Sequence, residues 1–149
     1  MELHQLLAER EIYRRLVAVA RAMDDRNWSA FNDLTIETIT CDLGLGHQEG
    51  RKAFVHTMRS YLDDCGPTQH LLGNVLIDID GDTASSKAYV SDMHLGTGEK
   101  SQMSFRTLGD YHDQWRRVEG SWLLTHRTKI NSAHIGSFDV LGPGPHSDD

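Results

Sequence analysis

At 149 residues, with 38% hydrophobic and 25% charged positions, the chain has the size and balance of one globular domain that buries its core without disulfides or metals. A formal net charge of -7, with Lys and Arg scattered along the sequence, argues against a nucleic-acid partner or an anionic membrane surface. No apolar run reaches the roughly 18 residues of a membrane span; the start MELHQLLAER is unlike a signal peptide, and Cys41 and Cys65 lack CxxC spacing, so a cytoplasmic protein with two reduced thiols is expected.

From Glu2 to Met23 the apolar residues Ile12, Leu16, Val19 and Met23 recur at helical spacing between Arg10, Arg14, Arg15 and Arg21, which predicts an amphipathic helix. The polar turn Asp24-Asp25-Arg26-Asn27 stops it, and Asn27 is placed to cap a short second helix carrying Trp28, Phe31 and Leu34. Weak alternation from Ile36 to Leu43 predicts a short strand, followed by the loop GLGHQEG. Arg51 to Leu62 reads as a third helix, with Phe54, Met58 and Tyr61 or Leu62 on one side, halted by Gly66-Pro67.

Beyond Pro67 the pattern turns to strands. Asp80-Gly81 is a hairpin signal between Leu71–Ile79 and Thr83–Leu95. The loop GTGEK leads to a long strand, Gln102–Val118, and Glu119-Gly120 turns into a last one, Trp122–Ile130. Residues 1–135 are therefore expected to form one α+β domain, a cone of curved antiparallel sheet wrapped over the N-terminal helix pair and the third helix. Residues 136–149, ending in GPGPHSDD, are expected to be a flexible tail.

Strict alternation about a turn at Asp80-Gly81 divides the hairpin into two faces. One carries Leu71, Val75, Ile77 and Ile79 with Ala84, Ala88 and Val90. The other carries His70, Leu72, Asn74 and Leu76 with Ser85, Lys87, Tyr89 and Ser91, a mixture that suits either a pocket wall or a half-solvated outer face. His70 gains a purpose if a carboxylate orients it, because a neutral imidazole so held can take a proton near neutral pH. Asp24 and Asp25 sit at the end of the first helix, where the helix dipole disfavours them. A solvated turn explains them as well as a partnership with His70 does. The histidines, nine in all, show neither HxH nor HExxH spacing, and no glycine-rich phosphate loop is present, so neither a metal nor another cofactor is expected.

The run Ala22-Met23-Asp24-Asp25-Arg26-Asn27-Trp28 resembles the A-x-D-x-x-[DN]-W segment of SnoaL-like proteins in the nuclear-transport-factor-2-like superfamily. His70-Leu71-Leu72-Gly73-Asn74 with Asp80-Gly81-Asp82-Thr83-Ala84, then Gly109-Asp110-Tyr111-His112-Asp113 and Trp122-Leu123-Leu124-Thr125-His126-Arg127, are similar to later strands of that family, in order. The resemblance implies the branch that includes scytalone dehydratase, hexachlorocyclohexane dehydrochlorinase and bile acid dehydratase. On that basis Asp24 and His70 are the expected catalytic pair of a cofactor-free lyase or isomerase, acting on a small hydrophobic cyclic molecule, with Asp25 a solvated neighbour. The family's Tyr five residues before the Asp is Val19 here, so an acid for a leaving group must come from elsewhere, with His94 the substitute. The expected pocket wall comprises Val19, Trp28, Met58, Asn74, Tyr89, His94, Phe105 and Tyr111. Trp28 also serves as core, and Arg127 is read as a structural partner for Asp113. A non-catalytic ligand-binding or subunit module of the same fold is the alternative. A homo-oligomer, dimer or trimer, is expected by analogy, although the outer sequence offers no clear apolar face.

Overall fold

The apolar stripe of the first segment becomes α1 (Leu3–Asp24), opened by a reciprocal Glu2/Gln5 capping box and burying Ile12, Leu16, Val19 and Met23. The structure is a computed structural model and describes residues 2–145. A single 3-10 turn, Trp28–Ala30, leads into the one-turn α2 (Phe31–Leu34), without the side-chain cap expected of Asn27. The third helix, α3 (Arg51–Leu62), has the predicted bounds.

The strands are β1 (Thr35–Asp42), β2 (His47–Glu49), β3 (Thr68–Asp80), β4 (Thr83–Leu95), β5 (Ser104–Val118) and β6 (Ser121–Gly136). They form one sheet in the order β2-β1-β6-β5-β4-β3, antiparallel except where β1 runs parallel to β6. The short β2 lies within the expected GLGHQEG loop and pairs back on β1. Apolar side chains from α1, α2 and α3 meet the inner face, where Phe31 and Phe54 contact edge to face at 5.9 Å and Trp115 and Leu124 are fully buried.

The β3–β4 hairpin departs from the two-face expectation in a way that decides the site. Its turn is Gly81-Asp82, one residue later than predicted, with Gly81 at φ +61°. Near the turn Val75, Ile77 and Ile79 face inward with Ala84 and Ala88. Then Asn74 adopts φ +49°, and the register steps from Leu76↔Lys87 to Gly73↔Tyr89. Two residues of β3 thus stand where β4 supplies one, a β-bulge that resets alternation. Beyond it His70 and Leu72 turn inward and Leu71 turns out, 61% exposed.

Two further expectations are corrected. The outer face carries an exposed apolar series, Leu71, Leu76, Tyr89, Leu108, Ile130 and Ile135, spread over four strands, where a polar surface was expected. Residues 137–145 pack against the domain rather than trailing from it. Gly136 turns at φ +96° with Ser104 O only 2.0 Å from where a Cβ would lie, so any side chain there collides with backbone. The next turn, Phe138–Val140, is capped by Ser137 and buries Val140; Gly142 N–H donates to Tyr61 O at 2.9 Å. Residues 146–149 of the expected tail lie outside the described residues.

Candidate active site

Asp24 ends α1 at a junction clamped by Arg26, itself at φ +54°. The Arg26 guanidinium donates to the carbonyls of Met23, Asp24, Leu62 and Gly66 and to Thr68 Oγ1, tying together the ends of α1 and α3 and the start of β3. One cation thereby adds charged donors to helix-end carbonyls, two of which, Met23 and Leu62, also accept backbone N–H bonds from Arg26 and Cys65. Asp25 next door is exposed.

Within this clamp the Asp24 carboxylate accepts three bonds from β3. Thr68 Oγ1 donates to Oδ1 at 3.0 Å, His70 N–H to Oδ2 at 3.1 Å, and His70 Nδ1 to Oδ1 at 2.7 Å. Burial alone would raise the Asp24 pKa, but the bonds and charge from His70 and the bond from Thr68 outweigh it and hold the carboxyl below the usual range. The carboxylate fixes the proton on Nδ1, which leaves the His70 Nε2 lone pair for the cavity the residue lines.

That cavity, of about 290 Å³, lies between α3, the inner sheet and the C-terminal turn. Phe54, Met58 and Leu62 form one wall and Phe105 and Tyr111 another, while Phe138 packs at a tilt against Phe105, centroids 4.7 Å apart, and against His134, 4.6 Å apart, to cover part of the rim. Its composition is apolar with a few placed polar groups, as small-molecule sites are. At the floor the His94 ring stands edge-on to His70, centroids 5.5 Å apart. Beside them the Asp92 carboxylate accepts from the Thr107 N–H at 3.1 Å, from the Thr107 hydroxyl and from the Lys129 ammonium. A ring nitrogen of each histidine and an Asp92 oxygen lie within 4.8 Å of one another. Their donor types would suit a metal, yet the positive charge facing Asp92 is the Lys129 ammonium, and both carboxylate oxygens are already engaged.

A family model described as a SnoaL-like domain matches residues 4–128. The chain belongs to the SnoaL-like domain family. An uncharacterized protein of Mycobacterium tuberculosis, Rv2910c, is 28% identical to this SnoaL-like chain over 121 residues, 80% of this chain and 82% of that one. Among solved structures, a protein assigned as a scytalone dehydratase from Novosphingobium aromaticivorans DSM 12444 superposes with a TM-score of 0.81 at 19% identity, covering 97% of both chains. A hexachlorocyclohexane dehydrochlorinase, LinA-type3, from Novosphingobium barchaimii LL02 gives a TM-score of 0.79 at 13% identity, covering 92% of this chain and 94% of that one. At those identities the likeness is one of fold.

In this SnoaL-like protein Asp24 and His70, which are 46 residues apart in sequence, are in contact, and Met58, His94, Phe105 and Tyr111 line the cavity. Four expected wall residues do not. Val19 is fully buried in the core under α1; Trp28 packs on Phe31 and donates to Asp63 Oδ1 at 2.8 Å. Asn74 and Tyr89 face solvent, because the bulge at Asn74 separates their side of the hairpin from that of His70. Arg127 does pair with Asp113, at 2.9 and 2.8 Å, and its guanidinium lies 3.7 Å from the Tyr111 ring centroid. The sequence reading missed Asp92, Thr107 and Lys129 as a group. The signal available was inward parity: Asp92 shares the face of Val90.

Burial keeps the His94 imidazole below its ordinary value of 6.5, against the pull of Asp92 and the Phe105 carbonyl. The unfolded chain therefore takes up a proton first as pH falls, so stability drops as acidification proceeds below about 6.5. Asp24 and Asp92, held low in the fold, add a second loss below the ordinary carboxylate value of 3.8. Urea midpoints measured against pH should display both losses, and His94→Gln should remove the first alone. A midpoint flat from neutrality to pH 5 would contradict the burial of a neutral His94.

Proposed function

We propose that this SnoaL-like protein is a cofactor-free lyase that eliminates water from a small, apolar, cyclic molecule, with His70 as general base and Asp24 as its orienting partner. The observation that carries the reading is the 2.7 Å bond between Asp24 Oδ1 and His70 Nδ1 at the edge of a largely apolar cavity. A neutral imidazole is too weak to deprotonate an ordinary C–H, so the substrate carbon needs an adjacent electron-withdrawing group such as a carbonyl. Proton transfer to Nε2 leaves an imidazolium that the Asp24 carboxylate stabilises, a contribution of roughly 10²–10⁴-fold to the rate. The apolar walls lower the local dielectric beside the pair and so strengthen that electrostatic support.

Asp24→Asn tests the pairing. An asparagine amide donates to Nδ1 and drives the ring proton to Nε2, which removes the lone pair from the cavity. With cyclic β-hydroxy ketones as substrates in deuterated buffer, turnover and deuterium entry at the α-carbon should fall about 10²–10⁴-fold, the share assigned to a positioned base. A folded variant with wild-type turnover would overturn the dyad and leave a ligand-binding domain of the same architecture.

A further inference from the structure

Removal of a proton is half of a dehydration, since a hydroxide leaves only when it is protonated. The residue expected to supply that proton is His94, and its hydrogen bond argues against it. His94 Nδ1 lies 3.1 Å from the Phe105 carbonyl, an acceptor, so Nδ1 carries the ring proton and Nε2 offers only a lone pair. Burial keeps the ring in this neutral form. Tyr111 is no better placed, because burial raises its phenol well above the ordinary value and makes it a weaker acid.

Lys129 remains. Its ammonium has three hydrogens; one goes to Asp92 and a second makes a longer contact, 3.4 Å, with Thr107 Oγ1. It reaches Asp92 across β5 at Gly109, where a Cβ would come within 3.1 Å of Lys129 Cε and 2.8 Å of Val90 Cγ1. The missing side chain at Gly109 thus gives the lysine its path. Asp92, kept ionised by Lys129 and Thr107 in spite of burial, keeps the charge of the lysine balanced inside the wall.

We propose that Lys129 is the general acid of the elimination and that, with His94 Nε2, it forms a cradle for a substrate hydroxyl. This deepens the dyad reading and rests on it. A hydroxyl can donate to the His94 lone pair while accepting from Lys129; a halide can only accept, so the cradle selects water over halide as the leaving group. In the step, His70 Nε2 takes the proton from the α-carbon as that C–H bond breaks. The electron pair becomes the new carbon–carbon π bond, the C–O bond breaks, and a Lys129 proton completes the departing water. The imidazolium of His70 then returns its proton to the Lys129 amine through that water, which restores both groups and leaves alkene plus water.

The test compares two leaving groups on one skeleton, β-hydroxycyclohexanone and β-bromocyclohexanone, since bromide departs without a proton. Lys129→Met, and Lys129→Arg as the variant that keeps the pair with Asp92 but holds its proton too firmly, should each lower elimination of water about 10²–10⁴-fold, the range for a positioned acid. Loss of bromide should change by less than about tenfold, because the acid has no part in it. Equal losses with both probes would make Lys129 structural and overturn the proposal, as would no loss with either. His70→Ala should suppress both reactions. Bromide loss that survives His70→Ala counts against the dyad while leaving the Lys129 comparison intact. Wild-type turnover of bromide alone would overturn the hydroxyl cradle, and silence with both probes would count against base and acid together.

Discussion

Replacing His70 with alanine is expected to lower turnover about 10²–10⁴-fold, the contribution of a positioned general base. Stability should suffer less than activity. Asp24 keeps its bonds from Thr68 Oγ1 and from the residue 70 backbone N–H, neither of which depends on the imidazole. The space left is open to the adjoining cavity, so water can enter and solvate the carboxylate. Circular dichroism that matches wild type, together with undiminished turnover, would remove His70 from the chemistry.

The largest effect on stability is expected away from the base. Arg127 and Asp113 form a bidentate pair, with side chains 2% and 0% exposed, and the guanidinium covers the Tyr111 ring. Deleting one partner strands the other charge in the interior, a cost of about 3–5 kcal/mol. Arg127→Met should therefore unfold at markedly lower urea. The double replacement Arg127→Met with Asp113→Leu should recover most of the loss, since two apolar residues of similar size leave no charge unpaired. A single variant within about 1 kcal/mol of wild type, the value of an exposed pair, would mean the site is wetter than its geometry implies.

Helix and strand positions were legible because each carries its own periodicity. The stripe Ile12–Leu16–Val19–Met23 defines α1, and Gly66-Pro67 marks where α3 must already have ended. What local pattern could not supply was the parity change at Asn74. The residue takes a left-handed conformation without being glycine, so nothing in a period-two reading announces it, and Asn74 and Tyr89 were assigned to the side of His70. The Asp92–Lys129 contact was hidden for a different reason. It spans 37 residues and runs diagonally over β5, so it follows only from the combined registers of three strands and the gap at Gly109. Asp24 and His70 are likewise distant, but family resemblance, rather than spacing, brought them together.

The aromatic cover over part of the cavity has a consequence for the order in which the protein becomes whole. Phe138 and Leu141 enter from the turn after Gly136, behind α1 to α3 and all six strands in the direction of synthesis. A nascent chain can thus complete its sheet, and bring base and carboxylate together, while the chamber beside them is still an open trough. That side of the cavity is built only once the stretch after β6 has been made, so a chain cut short at Gly136 would keep its reactive pair and lose the aromatic cover that Phe138 and Leu141 provide beside it.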